Sequence, residues 1–132
     1  MLANPNYLFA CEYDVDEFYG SLSYACLSNK TNYIVFEGGD PLYNNNLPFV
    51  KEFLERYGNH FKICIYTGYE IEEVKNFGLI NFEFIKCGKF DIDKIQYAEK
   101  TDDYFQLAST NQELYDKSFN LLTNNGRYTF NK

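Results

Sequence analysis

The sequence predicts an α/β fold, a partial parallel β-sheet with covering helices, in a single domain over residues 1–132. Three observations carry that expectation. A chain of 132 residues is one domain's worth, and folding at that length buries enough surface for one core without metal or disulfide staples. Its composition is 45% hydrophobic and 20% aromatic, the aromatics being Tyr and Phe without Trp, which excludes a disordered chain. Most directly, apolar runs alternate with helical patterns, and that order produces βαβ units with right-handed crossovers.

The elements follow in order. Asp14 or Asp16 can cap a helix over residues 17–27, with Phe18, Leu22 and Cys26 on one face. Tyr33–Phe36 reads as a strand, Tyr-Ile-Val-Phe, with no charged residue. A second helix over residues 47–57 tolerates Pro48 in its first turn, turns Phe49, Phe53 and Leu54 inward, and stops at Gly58. Residues 61–66, Phe-Lys-Ile-Cys-Ile-Tyr, form the second strand. A short helix after Gly68 carries Glu70, Glu72 and Glu73 near its positive end and finishes near Phe77 and Gly78. Residues 79–85 form the third strand. Near-continuous apolar strands suit a sheet covered on both faces. Beyond Cys87 the pattern weakens: residues 91–97 suggest a helical turn or two, residues 111–122 show helical spacing through Leu114, Tyr115, Phe119 and Leu122, and residues 127–130 suggest a last short strand.

Charge and cysteines narrow the function. Lys and Arg total 12 against 19 Asp and Glu, a net charge of −7; so acidic a chain is ill suited to nucleic acid, whose phosphates demand Lys and Arg. No apolar run reaches the ~18 residues of a membrane span, and residues 1–14 lack the pattern of a secretory signal, so a cytoplasmic protein is expected. Cys11, Cys26, Cys64 and Cys87 fit no short-spaced zinc pattern and read as reduced thiols, Cys64 in the core and Cys87 beside a loop glycine. His60 is the one histidine and, with no nucleophile pattern near it, reads as a loop residue. Abundant Asn, Lys, Tyr, Phe and Ile point to an AT-rich genome.

In parallel sheets ligands bind beyond the carboxyl ends of the strands. Each predicted strand there meets a glycine turn: Glu37-Gly38-Gly39-Asp40-Pro41, Thr67-Gly68-Tyr69, and Cys87-Gly88-Lys89. A glycine in such a loop either makes the turn or admits a ligand to the main chain.

Phe36-Glu37-Gly38-Gly39-Asp40-Pro41-Leu42, then Tyr66-Thr67-Gly68-Tyr69, Cys87-Gly88-Lys89-Phe90 and Ser109-Thr110-Asn111-Gln112 together resemble the activating protein of anaerobic (class III) ribonucleotide reductase, a radical S-adenosylmethionine family. There the corresponding loops read Gly-Gly-Asp-Pro-Leu, Trp/Tyr-Thr-Gly-Tyr, Asp-Gly-Lys/Arg-Phe and close to Arg-Gly-Ser-Ser-Asn-Gln. The resemblance covers about residues 33–112 and implies an incomplete radical-SAM-type barrel. In the family, a C-x3-C-x2-C loop holds a four-iron, four-sulfur cluster that reductively cleaves S-adenosylmethionine, and the resulting radical takes a hydrogen from a glycine of the reductase. The resemblance implies S-adenosylmethionine at Gly38, Gly39, Asp40 and Pro41, with Thr67, Gly68 and Tyr69 along its ribose or adenine side.

The departures are equally specific. No C-x3-C-x2-C occurs in the chain, and Cys87 and Leu107-Ala108 replace the family's Asp and Arg-Gly. Asn4-Pro5-Asn6-Tyr7 resembles the segment that follows the cluster loop, so the chain is expected to begin just after that loop, without the strand preceding it. Without three thiolates an iron–sulfur cluster is not expected on this chain alone. The expectation is a degenerate, non-catalytic relative acting as a binding, regulatory or structural module, of viral or mobile-element origin. The alternatives are an activase component whose iron–sulfur segment is encoded separately, and a small acidic inhibitor. A missing strand exposes a sheet edge, so self-association or a protein partner across that edge is expected, a glycyl-radical ribonucleotide reductase among the partners, with neither nucleic acid nor membrane.

Overall fold

The computed structural model of the chain describes residues 14–96 and 99–130. Helix α1 (Val15–Asn29) starts at a reciprocal cap: Glu17 N donates to the Asp14 carboxylate at 2.7 Å, and Asp14 N donates to the Glu17 carboxylate at 3.3 Å. Strand β1 (Tyr33–Phe36), helix α2 (Leu47–Tyr57), strand β2 (Lys62–Tyr66) and the short helix α3 (Ile71–Lys75) follow in the predicted order, with an unpredicted 3₁₀ turn (Gly58–His60) before β2 and with α3 ending at Lys75 rather than near Phe77 and Gly78. Strand β3 (Phe84–Cys87), a 3₁₀ turn (Ile92–Lys94), β4 (Tyr104–Gln106), β5 (Glu113–Asp116) and β6 (Arg127–Thr129) complete the order.

The main sheet runs β1-β2-β3-β5. Strands β1, β2 and β3 are parallel, with Phe36 opposite Ile65 and Ile65 opposite Ile85, and β5 joins antiparallel with Tyr115 opposite Ile85. Among the described residues the sheet is therefore mixed and open and does not close into a barrel. Ile34, Phe36, Ile63, Ile65, Ile85 and Cys87 alternate onto one face and are buried with Phe18 and Leu22 of α1 and Phe53 and Leu54 of α2. Phe18 packs on Phe36 and on Phe53, with ring centres 6.1 and 5.4 Å apart. The opposite face, with Val35, Cys64, Tyr66, Phe84, Lys86 and Leu114, is only partly covered. Above it stands the small antiparallel sheet of β4 and β6, whose Phe105 meets Tyr128 and Phe130. The expectation of a parallel sheet with covering helices on both faces is corrected here: β5 makes the sheet mixed, helices bury one face, and a two-stranded sheet only partly shelters the other.

Three further expectations change. The third strand is Phe84–Cys87, not 79–85. Leu79 and Phe82 are buried, which supplied the apolar signal, but Gly78 (φ 70°) and Asn81 (φ 60°) take left-handed conformations that an extended strand cannot accommodate. Residues 111–122 are not a helix. Tyr115 is buried in β5 and the chain folds back, with Ser118 N and Asn120 N donating to the Asp116 carboxylate at 2.9 and 3.0 Å and Leu122 N to Leu114 O at 2.8 Å. A strand followed by a side-chain-bonded turn happened to space its apolar residues at helical intervals. The helical turn expected over residues 91–97 reduces to one 3₁₀ turn, its last expected residue, Tyr97, lying outside the described residues.

The two edges of the main sheet differ. The outer side of β5 is closed by residues 120–123 of its own chain, Asp116 N donating to Asn120 O and Leu114 N to Thr123 Oγ1, both at 3.1 Å. Strand β1 has no outer partner among the described residues.

Gly58 does more than end α2. Its φ of −55° is ordinary, but a Cβ there would stand 2.6 Å from Asn81 Cβ and 2.7 Å from Asn81 O. That close approach lets Asn81 Nδ2 donate to Leu54 O at 3.0 Å, closing the end of α2. Gly58→Ala is expected to cost about 1–3 kcal/mol in urea unfolding, whereas Gly20→Ala, in α1 with nothing within 4 Å of the added carbon, is expected to gain roughly 0.5–1 kcal/mol. Equal effects at the two positions would contradict the packing account.

Candidate functional site

The parallel strands β1, β2 and β3 end at one rim, and the antiparallel β5 begins there. This brings the four loops of the sequence motifs together. Gly38 (φ 72°) and Gly39 (φ 52°) turn the chain after Phe36 in a conformation that side chains resist. Asn46, 1% exposed, supports this loop by donating Nδ2 to Gly39 O at 2.7 Å and to Asp40 O at 3.1 Å.

Asp40 joins the first loop to the second. Its carboxylate accepts from Thr67 Oγ1 at 2.8 Å, from Gly68 N at 2.9 Å and from Leu42 N at 3.0 Å. Thr67 Oγ1 in turn accepts from Tyr69 N at 3.2 Å. The second loop is tied to the third by Thr67 N to Lys86 O at 2.9 Å and Gly88 N to Tyr69 O at 3.0 Å. The fourth closes on the third: Gln112 Nε2 donates to Gly88 O at 3.3 Å, and Asn111 Nδ2 donates to Lys89 O at 2.8 Å. Gln112 Oε1 accepts from Ser109 N at 3.2 Å, and Ser109 Oγ accepts from Asp91 N at 3.2 Å. The polar residues of the motifs thus connect neighbouring loops, mostly through side chain to backbone bonds.

Above this network lies a cleft of about 370 Å³ lined by Glu37, Gly38, Asp40, Tyr66, Thr67, Gly68, Lys86, Gly88, Lys89, Phe90 and Gln112. Of the residues expected at the site, Gly38, Asp40, Thr67 and Gly68 line it. Gly39, Pro41 and Tyr69 do not: Pro41 is buried, and the Tyr69 ring packs edge-on against Phe77 at 5.3 Å. A Cβ on Gly68 would stand 3.1 Å from Lys89 Cγ, so that glycine keeps the cleft floor low. Lys86 was not legible as a site residue, because a lysine inside an apolar strand gives no motif. Its Nζ lies 4.2 Å from the Tyr66 ring centre. Burial pushes its pKa down, against the upward pull of Cys64 and Glu37.

The thiols do not converge. Cys26 lies on α1 and is half-buried. Cys87, 2% exposed, points into the helix-covered core, and Cys64 sits on the other face of the sheet, only half-buried and so not in the core as expected. Burial is the main cause that pushes both Cys64 and Cys87 up to about 12. His60, in the 3₁₀ turn as a loop residue should be, meets Tyr19 OH through Nδ1 at 3.2 Å.

A family model described as a 4Fe-4S single cluster domain matches residues 15–115. The chain belongs to that family. No curated protein and no solved structure matches it. A protein-held 4Fe-4S cluster of the family is anchored by cysteine thiolates brought to one place, and the described residues do not fit one. Cys64 and Cys87 lie on opposite faces of the sheet, and among the described residues no three His, Cys, Asp or Glu side chains gather as a metal site would require. Cys11 and the segment Asn4-Pro5-Asn6-Tyr7 lie outside the described residues. Among the described residues no helix is long and apolar enough to cross a membrane.

The 4Fe-4S family rim therefore stands here on hydrogen bonds, and the Asp40–Thr67 pair should behave as one unit. Asp40→Ala is expected to lower stability by about 2–4 kcal/mol, since backbone donors lose a charged acceptor. Thr67→Val is expected to cost about 1 kcal/mol. The double variant should cost less than the sum, the shared bond being lost only once. Strict additivity in urea unfolding would contradict the tie.

Proposed function

We propose that this chain is a degenerate, non-catalytic relative of the anaerobic ribonucleotide reductase activases that acts by binding. The observation that carries the reading is a dissociation at one site: the four loop motifs meet at one rim in the activase order, while the described thiols diverge onto different faces and elements. Retained loops with scattered thiols suit a frame that outlived its chemistry. The rim would take S-adenosylmethionine weakly. Gly38 and Gly68 leave backbone exposed along the cleft, but the Asp40 carboxylate is already occupied by Thr67, Gly68 and Leu42. In the activases the cluster iron would chelate the ligand's amino and carboxylate groups.

A protein partner or a second copy would pair with β1. That edge is open among the described residues, while the β5 edge is closed by its own chain. A groove of about 300 Å³ runs beside it between α1 and β1, lined by Leu22, Ala25, Cys26, Tyr33 and Val35 among others, which suits strand addition. A glycyl-radical reductase is one partner of the right kind. The second reading, an activase component whose iron–sulfur segment comes from another chain, draws on the intact rim.

Anaerobic reconstitution with iron and sulfide tests the first reading. The expected result is no stoichiometric cluster and weak, saturable heat with S-adenosylmethionine that Gly68→Ala abolishes, since the added carbon crowds Lys89. A stoichiometric 4Fe-4S cluster on the purified chain would overturn the reading. Light scattering of the same preparation should show association at tens of micromolar that Val35→Lys disperses; a strictly monomeric chain would rule out self-pairing through β1.

A further inference from the structure

Between the half-covered face of the main sheet and the β4–β6 sheet lies a second cavity, of about 330 Å³, distinct in character from the rim cleft. Phe84 and Leu114 form its floor, and Phe105, Tyr128 and Phe130 its roof. None of the residues lining it is fully buried, and Phe84 is 38% exposed. Apolar surface left in contact with water on both sides of a cavity is unfavourable by about 25 cal/mol per Å², and an apolar guest would remove it. A volume near the lower end of the ~300–1,000 Å³ typical of ligand pockets sets the guest's size as small.

The one charged side chain that lines the cavity stands on one wall. Lys86 lines it together with Tyr66, and the same two residues line the rim cleft. The ammonium group rests over the Tyr66 ring at 4.2 Å and makes no hydrogen bond or ion pair with any described residue. No Asp or Glu lines the cavity. Glu37, on the cleft side, acts on Lys86 electrostatically without forming an ion pair with it. A half-buried cation without a paired anion is costly, and a single cation at the edge of an apolar cavity complements a single negative charge on an apolar body.

We propose that this cavity binds a small amphipathic monoanion, a medium-chain fatty carboxylate, with Lys86 holding the carboxylate and the two facing sheets holding the chain. The inference needs no S-adenosylmethionine, and its apolar walls lie away from the rim, although Tyr66 and Lys86 stand in the wall that the cavity shares with the rim cleft. It also accounts for the β4–β6 sheet, which roofs a ligand cavity that the helix-covered core does not share.

Calorimetric titration of the full chain with decanoate, decanol and decyltrimethylammonium, each below its micelle concentration, tests the proposal. Decanoate should bind saturably at one equivalent, decanol more weakly and the cation not at all. Lys86→Met, similar in length and uncharged, should weaken decanoate by about tenfold or more and leave decanol unchanged, while Lys117→Met should change neither. Leu114→Trp should fill the cavity and abolish binding of both, with Leu107→Phe as the milder variant should Leu114→Trp not fold. A spin-labelled decanoate should broaden the methyl signals of Leu107, Leu114 and Leu122 and spare that of Leu54 in the helix-covered core. No saturable decanoate binding, an unaffected Lys86→Met, equal binding of the three probes, or broadening spread over all methyl groups would each overturn the proposal.

Discussion

The carboxylate of Asp40 is the tie on which the rim depends. It stands in the loop after β1 and accepts from Thr67 and Gly68 in the loop after β2. The loop of β2 then holds the loop of β3, through Gly88 N to Tyr69 O, and the loop before β5 holds it from the other side through Gln112 and Asn111. Charge-assisted bonds to backbone N–H groups are among the stronger ones available to a protein. Placed across strand ends, they fix the spacing of loops that the sheet alone would leave free. The glycines matter because of this geometry: Gly38 and Gly39 turn the chain so that Asp40 faces its neighbour, and Gly68 presents its N–H without a side chain between itself and Lys89.

Much of this was legible in the sequence. The alternation of apolar runs and helical patterns placed α1, β1, α2, β2 and α3 because local period and burial agree there: Phe18 and Leu22, Phe49 and Phe53, Ile63 and Ile65 are all buried as their spacing requires. The rim loops were legible because glycine and short polar residues at strand ends mark both turns and sites. What the sequence could not distinguish was those two uses. Asp40 reads identically whether it faces a ligand or the loop beside it, and the structure gives it Thr67. The segment from Leu79 misled because burial at Leu79 and Phe82 comes from packing around two left-handed turns, not from a strand. Residues 111–122 misled because side-chain bonds to Asp116 set a turn that periodicity does not register. Strand β4 carries three half-exposed residues, too short and too exposed to leave a pattern.

Family membership and the distribution of thiols together define what the frame can do. The chain belongs to a 4Fe-4S single cluster domain family through residues 15–115, yet Cys64 and Cys87 occupy opposite faces of one sheet and Cys26 a helix. Burial raises the pKa of Cys64 and Cys87 to about 12, which keeps them as protonated, poorly nucleophilic groups near neutrality. The two faces of the sheet have divided roles. Helices seal the core on one, while the other carries a roofed cavity beside Lys86, and the β1 edge is open among the described residues. These are the features on which the proposal of a binding role rests.

The account rests on the rim being one hydrogen-bonded unit, and native-state hydrogen exchange tests that most directly. The amides of Leu42, Thr67, Gly68 and Gly88 donate to Asp40, Lys86 O, Asp40 and Tyr69 O respectively. They should exchange through the same rare openings as the amides of β2, and should all become fast together in Asp40→Ala while the β2 amides change less. Rim amides that exchange orders of magnitude faster than those of β2 in the unaltered protein would mean that the loops move independently. Asp40 would then be free to serve a ligand, contrary to the account.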